Sequence, residues 1–175
     1  RDIAQKFNND FEVEEFFKIP EPLIQKEFSR IMSLKDGLKK MSKSELSDFS
    51  RINLTDGKDK IINKIKKAKT DTLAMPSNID ELNERPEAKN LIGIYSSLTN
   101  SSMEKSIIDF SGKNFSEFKE NLSQVLVDKI IPISLEIKKL LNENNYLDQI
   151  LLEGYEKANK IASKKIKKIH EIVGF

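Results

Sequence analysis

Apolar residues recur at the spacing of an amphipathic helix along most of the chain. Ile3, Ala4, Phe7 and Phe11 lie on one side of the first predicted helix. Similar stripes predict five further helices, and the stripes of the last two are long and are expected to face the core. The predicted helices cover residues 1–11, 55–68, 86–98, 101–111, 114–140 and 146–172.

Residues with known end preferences mark where these helices start and stop. Thr55 or Asp56 is expected to cap its helix, while Ser101 and Asn114 each stand three residues before a glutamate, the spacing of a capping box. Gly174 suits the position after the last helix. Pro86 suits the first position of its helix, and Pro132 is expected to kink the next-to-last helix. The two long helices are expected to pack antiparallel, joined at Asn142–Asn145.

The segment between the first two predicted helices is irregular. Prolines within residues 12–25 exclude a continuous helix there and predict an extended loop. The apolar pattern of Phe28–Leu34 predicts a short strand, Asp36-Gly37 predicts a turn, and the Lys- and Ser-rich stretch Leu38–Phe49 predicts a surface loop.

Composition excludes several kinds of site. The chain has no cysteine, so it forms neither a disulfide nor a thiolate zinc site, and its one histidine, His170, reads as a surface or helix-end residue. No apolar run approaches the roughly 20 residues that span a bilayer, and no signal-type segment opens the chain, so a cytoplasmic protein is expected. Because Arg1 already lies inside a helical stripe, we expect further sequence to precede it.

One short segment carries concentrated positive charge. Lys39, Lys40 and Lys43 lie within five residues, interleaved with Ser42 and Ser44. Lysines on long stems and small hydroxyl donors suit a polyanion such as a triphosphate. A solvated, lysine-rich turn has the same composition, so charge alone leaves both interpretations open.

The order of residues in this segment is more specific than its charge. Lys40-Met41-Ser42-Lys43-Ser44 matches the KMSKS signature of class I aminoacyl-tRNA synthetases. The flanking stretches resemble those of tryptophanyl-tRNA synthetases of the bacterial or organellar type, and the resemblance continues in the family's order to the end of the chain. These stretches include Arg30–Lys39, Ser50–Asp56, Ile65–Asp71, Arg85–Ala88 and Val173–Phe175. The chain therefore resembles the C-terminal half of such an enzyme.

This resemblance implies a mostly α fold. Residues 1–52 would be the C-terminal remnant of a Rossmann-like α/β catalytic domain, contributing its last helix, strand and KMSKS loop. Residues 53–175 would form a helical domain of the anticodon-binding type.

The resemblance also implies an activity, that of a tryptophan–tRNA ligase, which uses ATP to convert tryptophan to tryptophanyl-adenylate and then transfers it to tRNA(Trp). By position, Lys40 and Lys43 are the implied catalytic residues, which hold the pyrophosphate leaving group. Mg²⁺ would arrive with the ATP phosphates. The full-length family is expected to form a homodimer, and no membrane partner is expected. The implied ATP contacts are Ile31, Lys40, Met41, Ser42, Lys43 and Ser44.

Two features limit these expectations. Family chains usually have Asp after the motif, and here it is Glu45. The HIGH-type signature and the tryptophan pocket belong to the family's N-terminal half, so this segment alone is expected to be inactive.

Two alternatives compete with this interpretation. A non-catalytic helical RNA-binding module would use basic helix faces, here the lysines at 58–69 and 164–168, although these also suit solvated surfaces. The related tyrosyl-tRNA synthetase is disfavoured because the downstream segments look tryptophanyl.

Overall fold

The computed structural model describes residues 1–24 and 29–174. The described residues contain seven α-helices, one two-stranded sheet and one 3-10 helix, Asp48–Ser50. The elements are α1 (Asp2–Asp10), β1 (Met32–Ser33), β2 (Asp36–Lys40), α2 (Lys58–Lys66), α3 (Ile79–Asn83), α4 (Pro86–Thr99), α5 (Met103–Phe110), α6 (Phe115–Leu141) and α7 (Asn144–Val173). The predicted mostly helical fold is thereby confirmed.

The helix ends follow the sequence closely, with two corrections. Asn114 caps α6, its Oδ1 accepting the N–H of Glu117 at 2.8 Å. Ser102, not Ser101, caps α5, because Ser101 donates its N–H to Ser96 in the turn that ends α4. Gly57, rather than Thr55 or Asp56, precedes α2. The carboxylate of Asp56 accepts hydrogen bonds from the N–H of Asn53 and from Lys64, so it does not cap the helix.

The turn predicted at Asp36-Gly37 is wrong. β1 and β2 pair antiparallel, with Ser33 opposite Asp36, and the chain turns at Leu34–Lys35 instead. Pairing with β1 draws Leu38–Lys40 into β2, so this part of the predicted surface loop is strand. The observed first strand is shorter than the predicted Phe28–Leu34, and Phe28 itself lies outside the described residues.

The connection predicted between residues 71 and 85 contains a helix that the pattern missed. The five-residue helix α3 begins after Asn78, whose side chain accepts the N–H of Glu81. Five residues are too few to produce a periodic apolar stripe, so only the capping residue signals this helix.

The chain divides into two compact units, one within Gln25–Lys139 and one made of Arg1–Ile24 and Leu140–Phe175. The first unit has an apolar core that includes the predicted stripe Ile61, Ile65 and Ala68. Phe115 and Phe118 are buried in it, as predicted, and the Phe118 ring lies 4.9 Å from that of Phe110.

The second unit is built around phenylalanine rings. Phe7 of α1 lies 4.7 Å from Phe11 and 5.0 Å from Phe17, measured between ring centroids. Lys165 of α7 places its Nζ 3.6 Å from the centre of the Phe16 ring and donates to the Phe16 carbonyl. A lysine over an aromatic face is attracted by the negative face of the ring, so Lys165 ties α7 to the loop after α1.

The apolar stripe of α7 does not form the predicted core in the part of the chain that the structure describes. Ile150, Leu151 and Ile161 are 49%, 69% and 74% exposed. Four residues of the predicted α6 stripe are buried, whereas Ile133 is 44% exposed; the buried residues are Phe115, Phe118, Leu122 and Leu126. Helical spacing predicts an apolar face but not the element that covers it. The helix α6 continues through Pro132, and the kink and the antiparallel packing of α6 with α7 stay predictions.

None of the described helices combines the length and the apolar character that crossing a membrane requires.

Candidate functional site

The lysine-rich motif leaves the sheet at the end of β2. Lys40 is the last residue of this strand, and Met41 follows with its N–H donated to the carbonyl of Ile31 at 2.9 Å. The side chain of Met41 packs against the core of its unit. The first two motif residues are therefore fixed to the hairpin.

The next three residues, Ser42–Ser44, form the tip of the loop. The hydroxyl oxygens of Ser42 and Ser44 lie 3.0 Å apart, and the N–H of Ser44 donates to the Ser42 hydroxyl oxygen at 3.3 Å. Lys43 stands between them and is exposed, as are Lys39 and Lys40. Within the described residues no carboxylate pairs with these three lysines, so they present uncompensated positive charge.

The far side of the loop is held by Arg51. Its Nη1 donates to the carbonyl of Glu45 at 2.9 Å and to that of Ser47 at 3.4 Å. Its Nη2 lies 3.3 Å from the carboxylate of Asp48. The carbonyl of Ser50 accepts the N–H of Leu34 at 2.9 Å, which joins the end of the loop to the turn of the hairpin.

A buried ionic network lies beneath these contacts. Lys64 and Asp56 are 1% and 2% exposed, and their charged atoms lie 2.5 Å apart. Lys64 also reaches Asp48 at 3.0 Å, and Lys60 reaches both aspartates, at 2.8 Å and 3.0 Å. Asp48 therefore links the buried pair to Arg51 and to the loop.

The network moves the pKa values of Asp48, Asp56 and Lys60 in the direction that keeps these three groups charged. Hydrogen bonds from Lys60, and then from Lys64 and Asn53, lower the pKa of Asp48. Burial alone would raise the pKa of Asp56, but hydrogen bonds from Lys64, the Asn53 amide and Lys60 together lower it. The hydrogen bonds that Lys60 makes with the two aspartates raise its pKa.

The helix α4 supports the hairpin from its other side. The side chain of Asn90 bonds both backbone groups of Met32, and Gly37 of β2 lies against the backbone of Pro86 and Glu87. A cavity of about 490 Å³ opens here, lined among others by Arg30, Ile31, Lys89 and Asn90. The predicted site residue Ile31 thus lies at the edge of a cavity, beside the start of the motif.

Several lysines of the basic helix α2 and of the residues after it contact other groups of the protein. Lys60 and Lys64 bind aspartates, Lys69 lies 2.8 Å from Glu87, and Lys67 stands over the ring of Phe49. Much of this charge is therefore compensated within the protein. On α7 the predicted patch loses Lys165 to the phenylalanine cluster, while Lys164, Lys167 and Lys168 are exposed.

The structure brings Lys40, Met41, Ser42, Lys43 and Ser44 together on one loop with Ile31 beside it. Sequence reasoning missed Asp48, Arg51 and Asp56 as supports of this loop. The rarity of arginine could have drawn attention to Arg51, because only four of the 30 Lys and Arg residues are arginine. An arginine in a lysine-rich segment suggests a need for its fixed fork of donors.

No group of three or more histidine or acidic side chains that could hold a metal ion occurs in residues 1–24 and 29–174.

Comparison with known proteins gives consistent relatives. A protein named Tryptophan--tRNA ligase from Caulobacter vibrioides is 46% identical over the whole of this chain and 51% of its own length. One of the same name from Rickettsia felis is 48% identical over the whole chain and 52% of its own length. The chain thus spans about half the length of these curated relatives, corresponding to their C-terminal half.

Solved structures share the fold. The tryptophanyl-tRNA synthetase from Mycoplasma pneumoniae superposes with a TM-score of 0.81, covering all of this chain and 51% of its own, at 24% sequence identity. That from Campylobacter jejuni gives a TM-score of 0.63 at 26% identity, with the same coverage.

The sequence profile described as tRNA synthetases class I (W and Y) matches residues 1–129, which include the hairpin, the motif loop and the first helices after it. The chain belongs to this family of class I tRNA synthetases.

Proposed function

We propose that this chain is part of a tryptophan–tRNA ligase and that its Lys40–Ser44 loop binds the triphosphate of ATP. The observation that carries this proposal is the loop itself. Its exposed lysines have no acidic partner in the described residues, and the backbone on either side of its tip is held. Its relatives are named for the tryptophan enzyme, which favours that amino acid over tyrosine.

In the proposed reaction the carboxylate of tryptophan attacks the α-phosphorus of ATP. A new phosphorus–oxygen bond forms, and the bond from the α-phosphorus to the β,γ-pyrophosphate breaks. Negative charge grows on the leaving pyrophosphate as that bond breaks. Lys40 and Lys43 stabilise this charge, and because they are already placed and unpaired, little reorganisation is needed when the charge develops.

The remaining motif residues orient the nucleotide. Ser42 and Ser44 offer hydroxyl or backbone contacts to the phosphates, and Met41 packs near the adenine. Because the carbonyl of Ile31 accepts the N–H of Met41, a purine bound at Ile31 lies beside the start of the motif. Mg²⁺ is proposed to be held by the ATP phosphates and to neutralise part of their charge.

The other parts of the chain are assigned to two domains. Residues 1–52 would complete a catalytic domain, and residues 53–175 would form the helical domain that contacts the anticodon region of tRNA(Trp). The exposed lysines of α7, Lys164, Lys167 and Lys168, suit phosphate contacts. In this proposal the whole protein acts as a homodimer, and this chain alone does not activate tryptophan.

The test is tryptophan-dependent exchange of label between pyrophosphate and ATP. It uses an extended protein, in which this chain is produced with the additional half that its relatives possess, and this chain alone for comparison. We expect exchange only in the extended protein, and only with tryptophan. Exchange with tyrosine instead would make the tyrosyl enzyme the better assignment, and no exchange in a folded extended protein would favour an RNA-binding module.

A further inference from the structure

Arg51 binds the backbone on the far side of the lysine-rich loop. The guanidinium group donates from one nitrogen to the carbonyls of Glu45 and Ser47, the first directly after the motif. The side chain is 18% exposed, so water competes only weakly for these bonds. Hydrogen bonds from a charged donor are stronger than those between neutral groups. The bond to Glu45 therefore fixes where the motif ends.

The position of Arg51 is itself determined by its neighbours. Its Nη2 lies 3.3 Å from the carboxylate of Asp48, and its Nε donates to Oδ1 of Asn53 at 3.3 Å. Asp48 contacts Lys64, and Asn53 donates its N–H to Asp56, so both are joined to the buried Asp56–Lys64 pair. The guanidinium thus connects a rigid ionic core to the loop backbone.

Among the residues that the structure describes, these contacts support the loop on both sides of a short tip. On one side Met41 is bonded to Ile31, and on the other Glu45 is bonded to Arg51. Between them lie Ser42–Ser44, where the Ser42 hydroxyl bonds the hydroxyl and the N–H of Ser44. The place of Lys43 is therefore set by two fixed points and one local turn.

We propose that Arg51 is a positioning residue of the Lys40–Ser44 loop, which fixes the backbone after the motif so that Lys40 and Lys43 face the pyrophosphate in the reaction. This inference rests on the proposed function for its catalytic purpose. Its structural part, restraint of the loop by Arg51, stands on the contacts alone. Arg51 acts through the backbone and does not touch the substrate.

Arg85 provides a matched control because it makes the same kinds of contact, to a carboxylate and to a backbone carbonyl, elsewhere in the same unit. It is 8% exposed, pairs with Asp71 at 2.6 Å and donates to the carbonyl of Ala74 at 2.8 Å. It therefore holds a different loop by a carboxylate and a carbonyl. A change at Arg85 disturbs the fold without touching the lysine-rich loop.

The first experiment measures loop restraint in this chain with a protease that cleaves only after lysine. Cleavage after Lys43, located by mass spectrometry, is compared with cleavage after the other lysines of the wild-type sequence, so that the lysine introduced by Arg51→Lys is not counted. We expect Arg51→Gln to raise the relative rate at Lys43 about fivefold or more, and Arg85→Gln to leave this ratio unchanged. Arg51→Lys keeps the charge beside Asp48 but loses the forked donor, so it should fold and still raise the ratio. If folded Arg51→Lys shows the wild-type cleavage ratio, the proposal is overturned. This outcome decides the question even if Arg51→Gln fails to fold.

The second experiment asks whether the restraint serves catalysis in the extended protein. Misplacement of a reacting group by about 1 Å can cost about 100-fold in rate. We therefore expect Arg51→Lys to lower kcat for pyrophosphate exchange about 10- to 100-fold while the KM for tryptophan changes less than about twofold. Equal losses in kcat and in tryptophan affinity, or no loss, overturn the positioning role. An inactive wild-type extended protein refutes the proposed function and with it the catalytic purpose, whereas the cleavage ratio still decides the restraint.

Discussion

The side chain of Asn90 binds both backbone groups of Met32. Its Oδ1 accepts the N–H of Met32 at 2.8 Å, and its Nδ2 donates to the carbonyl of the same residue at 2.8 Å. The carboxamide thereby takes the place of a neighbouring strand at the edge of β1. Since Ile31, the preceding residue, holds Met41, this pair connects the helix α4 to the base of the motif loop.

Replacing Asn90 with alanine should destabilise the protein, because it leaves two backbone groups of Met32 without partners. A buried group that loses its partner costs about 1–3 kcal/mol, so we expect the free energy of unfolding to fall by about 2–4 kcal/mol in urea denaturation. Asn121→Ala is the control, since Asn121 is exposed and its side chain donates to the Glu117 carbonyl within α6. Equal effects of the two substitutions would show that the pairing with Met32 adds no stability.

Gly37 should tolerate no side chain. A Cβ atom at this position would lie 2.6 Å from backbone atoms of Pro86 and Glu87, too close for any rotamer change to relieve. We expect Gly37→Ala to lower the free energy of unfolding by about 1–3 kcal/mol or more, as overpacking does. Gly57→Ala is the matched substitution, because nothing lies within 4 Å of a Cβ there. Its effect should stay below about 1 kcal/mol, as for alanine at a helix N-cap.

The buried pair of Asp56 and Lys64 should be costly to break from one side. At neutral pH, Asp56→Asn should lower the free energy of unfolding by about 3 kcal/mol, because it removes the closest countercharge of a lysine that is 1% exposed. The double variant Asp56→Leu with Lys64→Met removes both charges, so it should recover part of this loss in the same urea titration. A double variant less stable than Asp56→Asn would contradict this account of the pair.

The same pair predicts a dependence on pH. The pKa of Asp56 is lowered in the folded chain, so its contribution is complete above its unfolded pKa, about 4, and is lost as the pH falls through the folded value. The stability difference between wild type and Asp56→Asn should therefore be largest near pH 7 and should shrink below about pH 4. Urea unfolding at pH 7 and pH 3 measures it. A difference that grows on acidification would mean that Asp56 is not held in its charged form.

Sequence predicts those features of the fold that depend on local periodicity. Ile61 and Ile65 recur at helical spacing and are fully buried. Leu151 recurs equally well on α7 and remains exposed, because periodicity does not say what covers a face. Gly37 resembles a turn residue in sequence but lies in a strand, since its lack of a side chain is needed for contact with α4.

The candidate site divides in the same way. The motif residues could be predicted because their order is distinctive, and the structure places them on one loop. Arg51 and Asp48 could not, because their role depends on contacts across the loop that no linear pattern records. Lys64 looked like surface charge in the sequence, although it is buried with Asp56.

The loop lysines are proposed to stabilise the leaving pyrophosphate, and Lys43→Ala in the extended protein removes one of them. The measurement is tryptophan-dependent pyrophosphate exchange, with Lys58→Ala as the control, because Lys58 is an exposed lysine outside the loop. Removing one group that stabilises transition-state charge costs about 100- to 1000-fold, so we expect a kcat loss of about this size for Lys43→Ala and less than about twofold for Lys58→Ala. Exchange by Lys43→Ala at the wild-type rate would contradict the claim.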